Sequence, residues 1–287
     1  MKNLARKVKH TIIFYRNLFS FLFGLFKTIR TSHTNVWMRD RLTSEFQLLV
    51  KFLTTDTKIL KTKEDSKSAY NLYDDREIVA DYRDSQVVLM NNAPVLMSYR
   101  EQRLIHLNYI FAEIDEILKS KEKAVVLEVG CGNCINIFEI IQKYGDRVEI
   151  HGVDIAENRI SVGRGYFKDG LANAKLKAAS ITEKTDFEDG KFDLVYSVFC
   201  IEQIAYETKA AVDEMYRISC SKILMLEPVF ENGSLMQKIY LVWSDHTRIL
   251  LKSIRELNLP LVKNEVLPMQ FNPSNQSTML LIDKGTI

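Results

Sequence analysis

The second half of the chain alternates short apolar runs with amphipathic stretches. Residues 124–129, 148–153, 175–179, 192–197 and 223–226 have the length and β-branched content of strands. Between them, residues 135–144, 157–167 and 207–217 carry apolar positions at helical spacing. This alternation predicts a mostly parallel sheet covered by helices on both faces. A longer helical region over 234–258 follows, then apolar runs at 261–268 and 278–282. The turn-forming Asn272, Pro273, Ser274 and Asn275 separate those last two runs, which predicts an antiparallel pair.

Residues 40–122 are polar-amphipathic, with a charged stretch from Lys61 to Asp84 in the middle, and are predicted to be helical. Within them, 98–121 place Leu104, Leu107, Ile110, Phe111, Ile114 and Leu118 on one helical face. The acids of 74–84 are mixed with arginines and fit a solvated helix face better than a metal cluster. Residues 11–26 are strongly apolar but broken by Arg16 and Asn17, short of the ~20 residues a spanning helix needs. Lys27 onward offers no small-residue cleavage site. The leader therefore reads as a helix lying in a membrane interface, or one packed on protein. Three regions result: a leader at 1–39, a helical extension or cap at 40–122, and an α/β domain at 123–287.

Charge sharpens that division. Residues 1–39 hold eight cations and no acid, so a chain of net charge +2 carries −6 over its remainder. The basic leader, residues 1–30 above all, suits an anionic membrane surface, whereas the acidic remainder is ill suited to gripping nucleic acid. Four cysteines are too few for a disulfide scaffold and point to reduced thiols in the cytoplasm. The five histidines form no metal-ligand spacing, so no metal is expected.

Candidate chemistry concentrates at Gly130-Cys131-Gly132-Asn133-Cys134. Its C-x-x-C could be a redox pair, since a thioredoxin-like pair also starts a helix after a strand. As a glycine turn after the first strand, it instead lets the backbone approach a ligand at the carboxyl ends of the strands. Glu128 lies two residues before the first glycine, where an acid can bind an ammonium. Asp154 ends the second strand, 24 residues beyond Gly130, where an acid accepts from both ribose hydroxyls and repels a 2′-phosphate. The third glycine of a dinucleotide fingerprint would fall at 135, which is Ile135. No Tyr-x-x-x-Lys pair follows Tyr206, Tyr216 or Tyr240, which weighs against an NAD-dependent oxidoreductase.

Together these stretches, with His151 to Ala156 and Phe192 to Ser197 followed by Ile201-Glu202, resemble the class I S-adenosylmethionine-dependent methyltransferase family over roughly 98–287. The resemblance implies a doubly wound, mostly parallel, seven-stranded Rossmann-like sheet ending in an antiparallel strand, with S-adenosylmethionine as cofactor. It implies that Glu128, Gly130, Cys131 and Gly132 meet the methionine portion, that Asp154 holds the ribose, and that Ile155 lies against the adenine. Ser180 and Ile181 stand where the family often has an acid for the adenine amine, and Ser197 would border the methyl-transfer site. Departures are Cys134 at the usual third glycine, Ser180, and Gln203 where a histidine is common. Residues 197–200 lack the proline-containing motif of relatives that methylate base amines or glutamine. The implied acceptor is a small molecule, a sugar or a lipid-linked intermediate. His246 and His106 are the candidates for a base, though either reads more simply as a satisfied histidine, and no catalytic residue is assigned. A non-catalytic cofactor-binding protein on the same fold is the alternative.

Overall fold

The computed structural model describes Lys67 and residues 85–285, apart from 92, 206, 245, 273 and 274. The leader, and the expectations placed on 1–66 and on 74–84, lie outside the described residues. The described chain opens with strands β1 (Ser85–Met90) and β2 (Ala93–Ser98), then helix α1 (Tyr99–Ile117). The alternating part runs β3 (Ala124–Val129), α2 (Ile135–Tyr144), β4 (Val148–Asp154), α3 (Glu157–Phe167), β5 (Lys175–Ala178), β6 (Phe192–Val198), α4 (Thr208–Ile218) and β7 (Ser219–Pro228). Helices α5 (Leu235–Trp243) and α6 (Leu250–Glu256) lead to β8 (Leu261–Asn272) and β9 (Asn275–Asp283).

The strands form one sheet in the order β2-β1-β8-β9-β7-β6-β3-β4-β5. β3 to β7 run parallel to one another, whereas β9 is antiparallel to β7 and β8 antiparallel to β9. The seven strands expected from the sequence are β3 to β9. The sheet has nine because residues 85–98, expected to be helical, form a hairpin that extends it beyond β8. The reason is local. Val87, Val88 and Leu89 are buried together, and Asn91 takes φ +51, the left-handed backbone that two-residue hairpin turns favour.

Central strands are buried on both faces, so they read as unbroken apolar runs. Val126, Leu194 and Leu224 face a core completed by Leu107, Ile110 and Ile114 of α1 and Ile137 and Ile140 of α2. Leu127, Val195 and Ile223 face a second core with Val212 and Met215 of α4 and Ile254 of α6. A capping box starts α1: the Glu101 amide donates to Ser98 Oγ (3.2 Å) and the Ser98 amide to Glu101 Oε2 (2.7 Å). The helical region expected over 234–258 divides into α5 and α6 around residues 244–249. Among the described residues, no helix is long and apolar enough to cross a membrane.

Candidate active site

The loop after β3 is held by the end of β4. The Gly130 and Cys131 amides both donate to the Val153 carbonyl, at 2.8 and 3.0 Å. The Gly132 amide donates to Asp154 Oδ2 and the Ala156 amide to Asp154 Oδ1, each at 2.8 Å. Asp154 thus locks the loop to its own strand, while each carboxylate oxygen keeps a further lone pair for a ligand. Gly130 (φ +73) and Gly132 (φ +49) are left-handed, and neither tolerates a side chain. A Cβ at 130 would fall 2.3 Å from Cys200 Sγ, and one at 132 would fall 2.7 Å from Arg159 Nη2. From behind, Gly163 of α3 packs so closely that a Cβ there would lie 2.3 Å from the Asn133 carbonyl oxygen.

Above this loop a cleft open to solvent lies at the carboxyl ends of β3, β4 and β6. Gly130, Asp154, Ile155, Ser180 and Ile181 line it. Arg159, Thr182, Phe199, Cys200, Gln203 and Glu207 complete much of the wall, and the sequence reading had assigned none of them. Cys131 and Gly132 lie in the loop but not in the cleft wall. Cys131 is buried, with its thiol hydrogen-bonded to Cys134; that bond and burial push its pKa well up. Cys134 takes φ +63 at the start of α2, a backbone that explains why glycine is common there. Its thiol turns into the core toward the Gly132 carbonyl (3.6 Å) and leaves the cleft unnarrowed. Both thiols are buried, and the raised pKa of Cys131 makes it a poor nucleophile, which argues against the redox reading.

Glu128 is buried behind the loop. Asn136 Nδ2 donates to its Oε1 (2.5 Å), and Arg103 Nη1 donates to Asn136 Oδ1 (3.0 Å). Its Oε2 has no hydrogen-bond partner, and burial raises its pKa to about 8 against the opposing pull of Asn136 and Arg103. Asn133 Nδ2, in the loop itself, is likewise buried without a partner.

Ser197 does not reach the cleft. It is fully buried and donates from Oγ to Glu227 Oε1 (2.7 Å). Glu227 Oε1 also accepts the Cys200 and Ile201 amides (3.1 Å each), and its Oε2 accepts the Glu202 amide (3.2 Å). This carboxylate gathers the loop after β6, in which Phe199 takes φ +53, a strained backbone for a large side chain. Glu227 was missed by the sequence reading. The available signal was an acid closing the apolar run of β7.

Neither histidine stands as a base in the cleft wall. His106 is buried; its Nδ1 faces the Gln102 carbonyl (3.2 Å) and its Nε2 faces Ser277 Oγ (3.1 Å). The carbonyl can only accept, so Nδ1 carries the proton and Nε2 accepts from the serine. Burial lowers the pKa of His106 to about 4. His246 is buried with Nδ1 3.7 Å from Glu202 Oε2 and its ring edge-on to Tyr240.

Residues 126–220 match the family described as a methyltransferase domain. This is a class I S-adenosylmethionine-dependent methyltransferase domain. Among curated relatives, the ajmaline N-methyltransferase of Rauvolfia serpentina is 28% identical over 121 residues, 42% of this chain and 40% of that protein. An uncharacterized protein of Rickettsia prowazekii (strain Madrid E) is 33% identical over 75 residues, 26% of this chain and 29% of its own length. The chain thus matches well under half the length of either relative. Solved structures share the fold at low identity. The magnesium protoporphyrin IX methyltransferase of Synechocystis PCC 6803, with bound S-adenosylhomocysteine, has a TM-score of 0.56 at 12% identity, covering 78% of this chain and all of that one. Geranyl diphosphate C-methyltransferase from Streptomyces coelicolor A3(2) scores 0.51 at 11% identity, covering 81% of this chain and 99% of that one. The cyclase SpnF scores 0.58 at 11% identity, covering 80% and 98%.

The methyltransferase domain's cofactor is S-adenosylmethionine, and the residues present fit it. Gly130, in the cleft wall, leaves room for close backbone approach, and the orphaned Glu128 Oε2 and Asn133 Nδ2 await polar partners. The carboxylate of Asp154 keeps lone pairs at the cleft wall.

Proposed function

We propose that the chain transfers a methyl group from S-adenosylmethionine to a small-molecule acceptor. The observation that carries this reading is the cleft at the carboxyl ends of the parallel strands, floored by the Gly130 loop and flanked by Asp154. In the proposed assignment Asp154 holds the ribose, Ile155 and Ile181 sandwich the base beside Ser180, and the Gly130–Gly132 backbone supports the methionine portion, with Glu128 receiving its ammonium. When bound, the cofactor supplies an electrophilic methyl on a sulfonium, open to in-line displacement. The chain's own part is to hold the acceptor atom on that line and to keep water out, and proximity of this kind supplies much of the acceleration. Phe199, beside the Cys200 amide that Glu227 holds, walls the cleft and excludes water from that side.

The acidic remainder of the chain and the methyltransferase relatives acting on ajmaline, a porphyrin and geranyl diphosphate support a small acceptor. The basic, apolar leader supports a finer reading, an acceptor presented at a membrane surface, such as a lipid-linked one. Because a cyclase shares the fold, binding alone does not establish transfer. The test is calorimetry of the full chain with S-adenosylhomocysteine, followed by turnover on amine, hydroxyl and carbon acceptors. Binding with turnover is expected. Absence of binding ends the reading, and binding without turnover on any class favours the non-catalytic alternative.

A further inference from the structure

Position 180, where the resemblance implies an acid, is a serine, and the cleft wall contains another acid. At the end of β5, Ser180 Oγ is paired with Thr182 Oγ1 (2.9 Å) and also accepts the Thr182 amide (3.4 Å). Its hydrogen-bonding capacity is largely used locally. Glu207, the N-cap residue of α4, lines the same cleft. An N-cap side chain ordinarily accepts an amide of the first helical turn, a bond whose loss costs about 1 kcal/mol. Glu207 makes no such bond, and its carboxylate accepts no hydrogen bond from any described residue. It is half-buried in the cleft wall.

A nucleoside in this cleft brings three donor groups: two ribose hydroxyls and the exocyclic amine of adenine. The wall offers two carboxylates, Asp154 and Glu207. Asp154 is tied to the glycine loop at the end of β4, beside the ribose position. The amine is the donor left over, and Glu207 is the acceptor left over.

We propose that Glu207, at the start of α4, accepts the exocyclic amine of the cofactor's adenine and so selects adenine over its deaminated counterpart. The assignment rests on the cofactor reading above. Hypoxanthine replaces the amine with a carbonyl, which would face the carboxylate acceptor to acceptor. A charge-assisted hydrogen bond of about 1.5–3 kcal/mol corresponds to roughly 10- to 100-fold in affinity. Gln203 is the competing acceptor. Its Nε2 donates to the Phe199 carbonyl (3.3 Å), which leaves its Oε1 for a ligand.

The experiment is calorimetry of the full chain with S-adenosylhomocysteine and with S-inosylhomocysteine at pH 7. The native protein is expected to prefer the adenosyl compound roughly 10- to 100-fold. Glu207→Ala is expected to bring the two affinities together, and Glu207→Gln, whose carboxamide can donate to the hypoxanthine carbonyl, to reverse or erase the preference. Gln203→Ala should keep the native preference. Preference intact in both Glu207 variants, or lost in Gln203→Ala but not in Glu207→Ala, overturns the assignment. If the native protein binds neither compound, it is the cofactor reading that fails.

Discussion

Glu128 shows how one buried group ties the cofactor site to pH. Its folded pKa of about 8 lies above the ordinary 4.5. Between those values the native protein keeps a proton that the unfolded chain releases, so stability without ligand falls as pH rises from about 4.5 to 8. Glu128→Gln carries no such penalty. Its thermal midpoint should drop less over that window than the native protein's, as a pH series of unfolding curves would read. The same variant should bind S-adenosylhomocysteine roughly 10-fold more weakly, because an ammonium loses its carboxylate. Equal pH slopes would mean that Glu128 is ionised in the folded protein. From sequence, the position of Glu128 was legible but its depth was not. Its polar surroundings, Asn136, Arg103 and Tyr196, converge only once α1 and α2 pack on β3 and β6.

The loop after β6 is built by an element distant in sequence. Its amides at 200, 201 and 202 converge on Glu227, at the end of the neighbouring strand β7. Glu227→Ala leaves three buried amides and the Ser197 hydroxyl seeking partners, at about 1–3 kcal/mol for each group left unsatisfied. A loss of at least about 2 kcal/mol of unfolding free energy, read as a lowered urea midpoint, is expected, with a loss of S-adenosylhomocysteine affinity as Phe199 and Cys200 loosen. A stable variant with native affinity would show that other contacts shape the loop. Elements of this kind account for what was and was not readable. β3, α2 and α3 follow from periodicity because each buries a simple face, and their bounds match the expectation. The hairpin at 85–98 was read as helix because its outer strand β2 has no buried residue to set a two-residue period. Ser197 sits at the expected strand end, yet which way its side chain turned was decided by Glu227.

For the whole molecule, the division of charge is the sequence feature with most left to explain. The leader's net +8 and its aromatic, leucine-rich run suit anionic lipid, each cation near such a surface contributing about 1 kcal/mol. In liposome flotation with anionic lipid, the full chain is expected to rise with the vesicles and a chain starting near residue 40 to stay behind, with binding weakened by salt. Both remaining in the soluble fraction would remove the membrane-surface acceptor from consideration. The parallel sheet and its cleft were legible because strand and helix alternate with so few interruptions. The nine-strand width was not, since it depends on β1 meeting β8, about 180 residues later in the chain.

The placement of β9 governs the timing of assembly. This strand lies between β7 and β8, pairing with both, and Leu280, Leu281 and Ile282 feed both cores. A chain emerging from the ribosome exposes the apolar flank of β7 until residue 283 has cleared the exit tunnel. The cofactor loop, made long before, therefore gains its finished support only once β9 has docked. Any early halt in translation would release a half-sheet with an open, sticky edge.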